Sequence, residues 1–312
     1  MTTALGIVVP CYNEQEVLPE TAKRLLELMS RLQASGVITS DSAIYFVDDG
    51  SKDSTWQLIQ ALATQDLRIH GVKLSRNKGH QNALLAGLSI AKGDAVVTVD
   101  ADLQDDINVI EEMVQRFSEG CEIVYGVRMS RTADTAFKRG TAQAYYKVLE
   151  SVGVDIVYNH ADYRLMSQRA VKHLQEYSEV NLFLRGIIPL LGFSTATVYY
   201  DRSARFAGES KYPLRRMLAL AFDGITSFSV TPLRFIAALG LVIFLMSFGM
   251  VAWVLYGRLF MNAAIPGWAS SVIPIYFLGG IQLLSIGVVG EYVAKIYMET
   301  KRRPRFSIET VV

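Results

Sequence analysis

Cysteine, surplus charge and glycine-rich phosphate loops are scarce or missing in this 312-residue chain. Its two cysteines, Cys11 and Cys121, fall in strand-like contexts without metal-ligand spacing, and read as reduced core thiols of a cytosolic portion. Lys and Arg number 31 against 30 Asp and Glu, so bulk charge makes no case for nucleic acid. No Gly-x-Gly-x-x-Gly follows the first apolar run, where Pro10-Cys11-Tyr12-Asn13-Glu14 stands instead. No Gly-x-x-x-x-Gly-Lys-Ser/Thr loop occurs either, so any bound diphosphate must be handled by a metal and cationic side chains. The N-terminus offers no basic stretch, and Leu5–Val9 is too short for a signal peptide; a first strand is expected there. Internal repeats and low-complexity segments are absent.

Long uncharged runs, by contrast, are present. Phe235 to Tyr256 and Ala269 to Gly290 each run 22 residues without a charge. About 20 residues of helix cross a bilayer core, so two spans are expected. Lys295, Lys301, Arg302, Arg303 and Arg305 follow the second run, whereas Arg258 is the only charge in the 257–268 connection. That bias puts the C-terminus in the cytosol, and two spans return the N-terminal portion to the same side. Trp253, Tyr256, Trp268 and Tyr292 fall near the expected span ends, as interface aromatics would. Gln282 and Ser285 within the second run suit contacts between helices, which makes a homo-oligomer plausible and leaves a channel or transporter subunit with only those two residues to recommend it.

The first 130 residues alternate strand and helix: strands at 5–9, 43–47, 69–74, 95–99 and 123–127, helices at 17–32, 55–63, 81–91 and 109–117. Repeated βα units predict a mostly parallel α/β sheet with helices on both faces. Its strand ends should gather Tyr12-Asn13-Glu14, Asp48-Asp49-Gly50-Ser51, Arg76-Asn77, Asp100-Ala101-Asp102 and Arg128 along one crevice. Asp100 and Asp102 follow the β-branched run 95–99 and can aim oxygens at one hard cation, with Gln104 adding a neutral oxygen. The plain alternative is a solvated turn, where Asp is common. Beyond residue 130, a mixed helix at 136–152, a strand from 161–166, a helix at 168–176, an apolar stretch at 182–191 and a strand at 195–200 are expected. The segment 212–229 mixes Arg215 and Arg216 with Leu214, Met217, Leu218, Leu220, Phe222 and Phe228, fitting a helix in the membrane interface or a core-facing one. His80 reads as a helix-start capping or packing residue rather than a catalyst.

Pro10-x-Tyr12-Asn13-Glu14, Val47-Asp48-Asp49-Gly50-Ser51, Asn77-x-Gly79, Asp100-x-Asp102 and Gly208-Glu209-Ser210-Lys211 together resemble family 2 glycosyltransferases with a GT-A fold. Within them the chain is similar to polyprenyl-phosphate glycosyltransferases of the dolichol-phosphate mannose synthase type, above all to the bacterial bactoprenol (undecaprenyl-phosphate) glucosyltransferase branch, which has two C-terminal spans. The resemblance implies that Pro10, Tyr12, Glu14, Val47 and Asp49 meet the nucleotide base and ribose, with Asp48 as the alternative carboxylate. It implies that Asp100, Asp102 and Gln104 hold Mg²⁺ or Mn²⁺, with Ala101 lining the nucleotide. Arg128 matches an arginine that meets the phosphates, and Arg205 and Lys211 match a basic pair flanking the Gly-Glu-Ser-Lys loop. The Gln-x-x-Arg-Trp motif of processive relatives is missing, which argues against polymer extension.

The implied reaction is inverting transfer of a hexose, glucose from UDP-glucose first, to a polyprenyl phosphate. GDP-mannose or another nucleotide sugar is the alternative donor, and a non-catalytic nucleotide-sugar-binding scaffold the alternative role. Charge develops on the leaving diphosphate, where a divalent ion and charge-assisted hydrogen bonds from Arg205 and Lys211 can meet it. A phosphate monoester is largely ionised at neutral pH, because its second pKa is about 6, and needs positioning more than proton removal. Arg128, Arg131, Lys138 and Arg139 are candidates to position it. Asp162 is a candidate extra carboxylate that orients the acceptor or a basic side chain. The expected division is a cytosolic GT-A domain at 1–204, a basic loop and interface helix at 205–232, two spans with a short non-cytosolic loop at 233–294, and a basic cytosolic tail at 295–312. The expected setting is the inner or plasma membrane, and a tetramer is the expected assembly.

Overall fold

In the computed structural model, residues 2–129, 160–179, 184–201, 231–260 and 268–312 are described. The helices expected at 136–152 and 212–229, and Arg131, Lys138, Arg139, Arg205 and Lys211 with them, lie outside the described residues. The elements run β1 (Leu5–Cys11), α1 (Leu18–Ala34), β2 (Ala43–Asp48), α2 (Thr55–Gln65), β3 (Ile69–Leu74), α3 (His80–Ile90), β4 (Ala95–Thr98), α4 (Val109–Ser118) and β5 (Ile123–Arg128). They continue as β6 (His160–Ser167), α5 (Gln168–Glu176), α6 (Leu184–Leu190), β7 (Thr195–Tyr200), α7 (Thr231–Phe260), α8 (Trp268–Thr300) and β8 (Ile308–Val311).

One sheet of order β7-β5-β6-β4-β1-β2-β3-β8 holds the domain together. β3, β2, β1 and β4 are parallel, whereas β6 runs antiparallel between β4 and β5. The central strands β1, β2 and β4 are buried along their whole length because both faces are covered. Ile7, Phe46 and Val97 face a core shared with α1, α2 and α4; Val8, Val47 and Val96 face a second core shared with α3, α5 and α6. α6 is the apolar stretch at 182–191, and its Leu184, Ile187 and Ile188 belong to this second core. Chain order reverses between β1 and β4, because β1 continues to β2 on one side and meets β4 on the other. Open α/β sheets bind ligands at such a switch point, beyond the carboxyl ends of the strands.

The sequence reading assigned no strand to the C-terminus, yet β8 pairs antiparallel with the outer edge of β3. Gly71 and Val312 exchange both backbone hydrogen bonds at 2.8 and 2.9 Å, Lys73 pairs with Glu309 at 3.1 Å, and Phe306 and Ile308 pack on the second core. The polypeptide that leaves α8 thus returns to the sheet and covers an edge otherwise open to pairing. α7 and α8 are 30 and 33 residues long, and Leu245, Phe248, Trp253, Leu283 and Leu284 are exposed along them. Among the described residues, Phe277–Thr300 is long and apolar enough to cross a membrane. Ser285 returns its hydroxyl to the Ile281 carbonyl of its own helix at 2.8 Å.

α3 packs so tightly on β1 and β2 that a methyl group at Gly87 would lie 2.4 Å from Val8 Cγ1 and 2.8 Å from Val47 Cγ2. Overpacking of this kind costs about 1–3 kcal/mol. Gly87→Ala is therefore expected to lower the thermal midpoint of the purified protein in detergent, and an unchanged midpoint would contradict the close approach.

Candidate active site

Five turns meet at the carboxyl edge of the sheet and are laced by hydrogen bonds. The first two cross-link: Asn13 N donates to Ser51 Oγ at 2.9 Å, Lys52 N to Asn13 Oδ1 at 2.8 Å, and Glu14 N to Thr55 Oγ1 at 2.9 Å. Asp49 ties the second to the third by accepting from the backbone N–H groups of Lys78 (2.6 Å) and Gly79 (2.9 Å). Gly50 permits the approach: its φ is +66°, and a Cβ there would meet Asn77 N at 2.5 Å. The third joins the fourth through His80, whose Nε2 is 3.5 Å from Asp100 Oδ1. The fifth joins the loop after Asp102, because Arg128 donates to Asp105 at 3.1 Å and to the Tyr200 hydroxyl at 3.2 Å.

This lacing shows how the sequence-selected residues are used in the fold. Tyr12 is 42% exposed at the end of β1, with its ring open to a ligand. Asp48 and Asp49 are buried; Asp48 accepts from Ser51 N, and its other oxygen has no hydrogen-bond partner among the described residues. Pro10 and Val47 lie buried at the strand ends, and Ala101 accepts the Thr21 hydroxyl at 2.8 Å, which fixes the loop onto α1. Gln104 N donates to Asp102 Oδ1 at 3.2 Å, and Leu103 between them adopts a left-handed φ of +56°. That turn folds the loop back so that Asp100 and Asp102 stay at the sheet edge.

Beyond Asp100 lies Asp162, near the start of β6. Its carboxylate takes Arg164 Nη2 at 2.6 Å and Arg185 Nε and Nη2 at 3.2 Å each, and His80 Nε2 stands 3.5 Å away. His80 therefore bridges Asp100 and Asp162. Burial alone would raise the Asp162 carboxyl, but Arg185, His80 and Arg164 outweigh it and hold it well below the usual carboxylate range. For Asp100 the balance goes the other way: burial pushes it up to about 6, with Asp105, Asp162 and Asp102 adding to the shift and His80 opposing it. His80 itself is raised, because the two carboxylates outweigh its burial.

Asp100 is thus an oxygen donor crowded by anions, a setting that a divalent cation relieves. Among the described residues no group of three or more His, Cys, Asp and Glu forms a metal cage. A hard cation held by Asp100 and Asp102, with its remaining positions filled by water and substrate phosphates, needs no such cage. The residues present fit Mg²⁺ or Mn²⁺.

Sequence reasoning missed Arg164, Arg185, Asp105 and Tyr200, and underrated His80. Two signals were available. Asp162 and Arg164 are two apart and share a strand face, and Arg185 is the single charge in Leu184–Leu190.

The Asp162 cluster has a pH signature. Its folded pKa lies below the unfolded value of about 3.9, so its stabilisation is complete above that value and is lost as pH falls towards the folded value. Removing one partner of a buried pair costs about 3–5 kcal/mol. Asp162→Asn should therefore destabilise the protein by about 3 kcal/mol at pH 7, with the gap to wild type narrowing below pH ~4 in denaturant titrations. A gap independent of pH would contradict the cluster.

Residues 6–175 match the family model "Glycosyl transferase family 2". The chain is 52% identical over 309 residues to the uncharacterized glycosyltransferase YkoT of Bacillus subtilis (strain 168), covering 98% of this chain and 91% of the relative. It is 39% identical over 306 residues to the bactoprenol glucosyl transferase of Shigella phage SfV, covering 98% of each. Among solved structures it is similar to the glucosyl-3-phosphoglycerate synthase from Mycobacterium tuberculosis in complex with Mn²⁺, UDP and phosphoglyceric acid, at 18% identity and a TM-score of 0.45, over 72% of this chain and 76% of that one. With the family model matching residues 6–175 and relatives matching over nearly its whole length, the chain belongs to glycosyl transferase family 2.

Proposed function

We propose that this glycosyltransferase transfers glucose from UDP-glucose to undecaprenyl phosphate at the cytosolic face of a membrane, with inversion at the anomeric carbon. One observation carries the choice of acceptor. Asp162, the carboxylate beside the metal pair, is claimed by two guanidiniums and a histidine and held well below the usual range. A hydroxyl acceptor needs a base with a pKa near the working pH, which such a carboxylate lacks. A phosphate monoester arrives already ionised and needs only to be positioned. Similarity to the bactoprenol glucosyl transferase of Shigella phage SfV supports the same acceptor and sugar.

In this reading the donor's nucleoside lies over the turns after β1 and β2, near Tyr12, Glu14 and the Asp49 loop. Asp100, Asp102 and Gln104 would hold Mg²⁺ or Mn²⁺, which when bound supplies Lewis-acid neutralisation of the diphosphate. An acceptor phosphate oxygen forms the new bond to the anomeric carbon, the bond to the diphosphate oxygen breaks, and its electron pair leaves with the nucleoside diphosphate. Attack from the opposite face turns an α-linked donor into a β-linked lipid product. Arg205 and Lys211 are assigned to the leaving diphosphate. α7 and α8 are assigned to two spans joined by a short non-cytosolic loop, with the sheet and the C-terminus in the cytosol and a homo-oligomer, a tetramer, as the assembly.

A panel of radiolabelled donors with undecaprenyl phosphate and Mg²⁺ tests the reaction. Lipid-linked product should form from UDP-glucose, and product from GDP-mannose alone would overturn the sugar assignment. Lewis-acid stabilisation is worth several kcal/mol, so Asp102→Ala should lose about 100-fold or more in rate. Full activity in that variant would remove Asp102 from the metal site.

A further inference from the structure

We propose that Arg185 receives the phosphate of the lipid acceptor, and that Asp162 is the positioning residue that holds its guanidinium in place; the assignment rests on the lipid-phosphate reading above. Neither the motif pattern nor the basic residues first considered for this role include Arg185.

Position along the sheet edge argues first. The turns after β1, β2 and β3 carry Tyr12, Glu14, Asp49 and Asn77 on one side of Asp100. β6, with Asp162, borders β4 on the opposite side. A donor laid over β1–β3 with its diphosphate at Asp100 therefore leaves the β6 side to the acceptor. Arg185 stands on that side, fixed to Asp162.

Its geometry suits a phosphate. Nε and Nη2 each lie 3.2 Å from a different Asp162 oxygen, a two-point contact that sets the plane of the guanidinium. The Arg185 side chain is 36% exposed, whereas that of Arg164, on the same carboxylate, is 2% exposed. One arginine therefore anchors Asp162 from inside the fold and the other is presented to solvent. The backbone beneath Arg185 is also held, because Leu184 N donates to Gln81 Oε1 at 3.2 Å and Leu184, Ile187 and Ile188 are buried. That contact joins α6 to the first turn of α3, where His80 faces Asp100 and Asp162.

Charge argues in the same direction. Two guanidiniums share the single carboxylate of Asp162, and arginine stays protonated in proteins. A permanently charged guanidinium that is still partly exposed suits a phosphate dianion. Arg185 would bond the acceptor oxygens that do not attack and hold the attacking one towards the anomeric carbon.

Steady-state kinetics on the full-length protein in detergent, varying undecaprenyl phosphate and UDP-glucose separately, test this for wild type, Arg185→Gln, Arg185→Lys and Asp162→Asn. A lost charge-assisted hydrogen bond predicts an acceptor KM raised about tenfold or more in Arg185→Gln, with donor KM and calorimetric UDP affinity within about twofold of wild type. Arg185→Lys should recover part of the loss, and Asp162→Asn should raise the acceptor KM while leaving donor KM in place. An unchanged acceptor KM in Arg185→Gln overturns the proposal. So does a weakened UDP affinity with acceptor KM intact, which would assign Arg185 to the donor diphosphate. Should Arg185→Gln fail to fold, Arg185→Lys carries the test, and an acceptor KM equal to wild type overturns the proposal. A wild-type protein that transfers nothing to undecaprenyl phosphate overturns the lipid-phosphate reading together with this one, whereas an active wild type with an indifferent Arg185 overturns only this one.

Discussion

Four carboxylates, Asp100, Asp102, Asp105 and Asp162, crowd the edge of the sheet between β4 and β6, and the rest of the site follows from how their charge is met. Asp105, almost fully buried, is taken by Arg128 and the Tyr200 hydroxyl. Asp162 is taken by Arg164, Arg185 and His80. Asp100 has His80 as a cationic neighbour that opposes the shift, yet burial, the first cause, pushes it up to about 6. Unequal compensation therefore divides one anionic cluster: Asp105 and Asp162 are anchored, whereas Asp100, with Asp102 beside it, is placed where a cation would relieve it. Surface pairs elsewhere, such as Arg24 with Glu20, sit in water and contribute little by comparison.

The fold delivers this edge by ordinary means. Parallel strands buried on both faces put every βα turn at one end, and the reversal between β1 and β4 opens the crevice there. Backbone N–H groups that a glycine-rich loop would point at phosphates are here used to hold turns together, as where Asp49 accepts from Lys78 and Gly79. β8 adds a constraint from outside the catalytic turns, because pairing with β3 brings the chain beyond α8 back onto the sheet.

Much of this was legible in the residue pattern. The helix Gln168–Glu176 and the strand Thr195–Tyr200 are found at their expected bounds, because amphipathic spacing and a β-branched run are local signals. Asp100 and Asp102 stood out for the same reason, as polar residues directly after a buried strand. What escaped were contacts between distant segments. Arg185 and Asp162 are 23 positions apart, and Arg128 and Tyr200 are 72 apart, so no spacing rule connects them. β8 is four residues of unremarkable composition whose strand identity comes from the edge it meets. His80 read as a capping residue because its partners lie in the turn after β4 and on β6, which only the folded sheet brings beside α3.

In the proposed reaction this edge binds an acceptor that brings its own negative charge, since the carboxylate beside the metal pair is locked in ion pairs. Comparing undecaprenyl phosphate with undecaprenol as acceptors of glucose from UDP-glucose, at saturating metal and neutral pH, tests it most directly. Product is expected with the phosphate and none with the alcohol. Comparable rates with the alcohol would contradict it, because a base able to deprotonate a hydroxyl would then have to be at work.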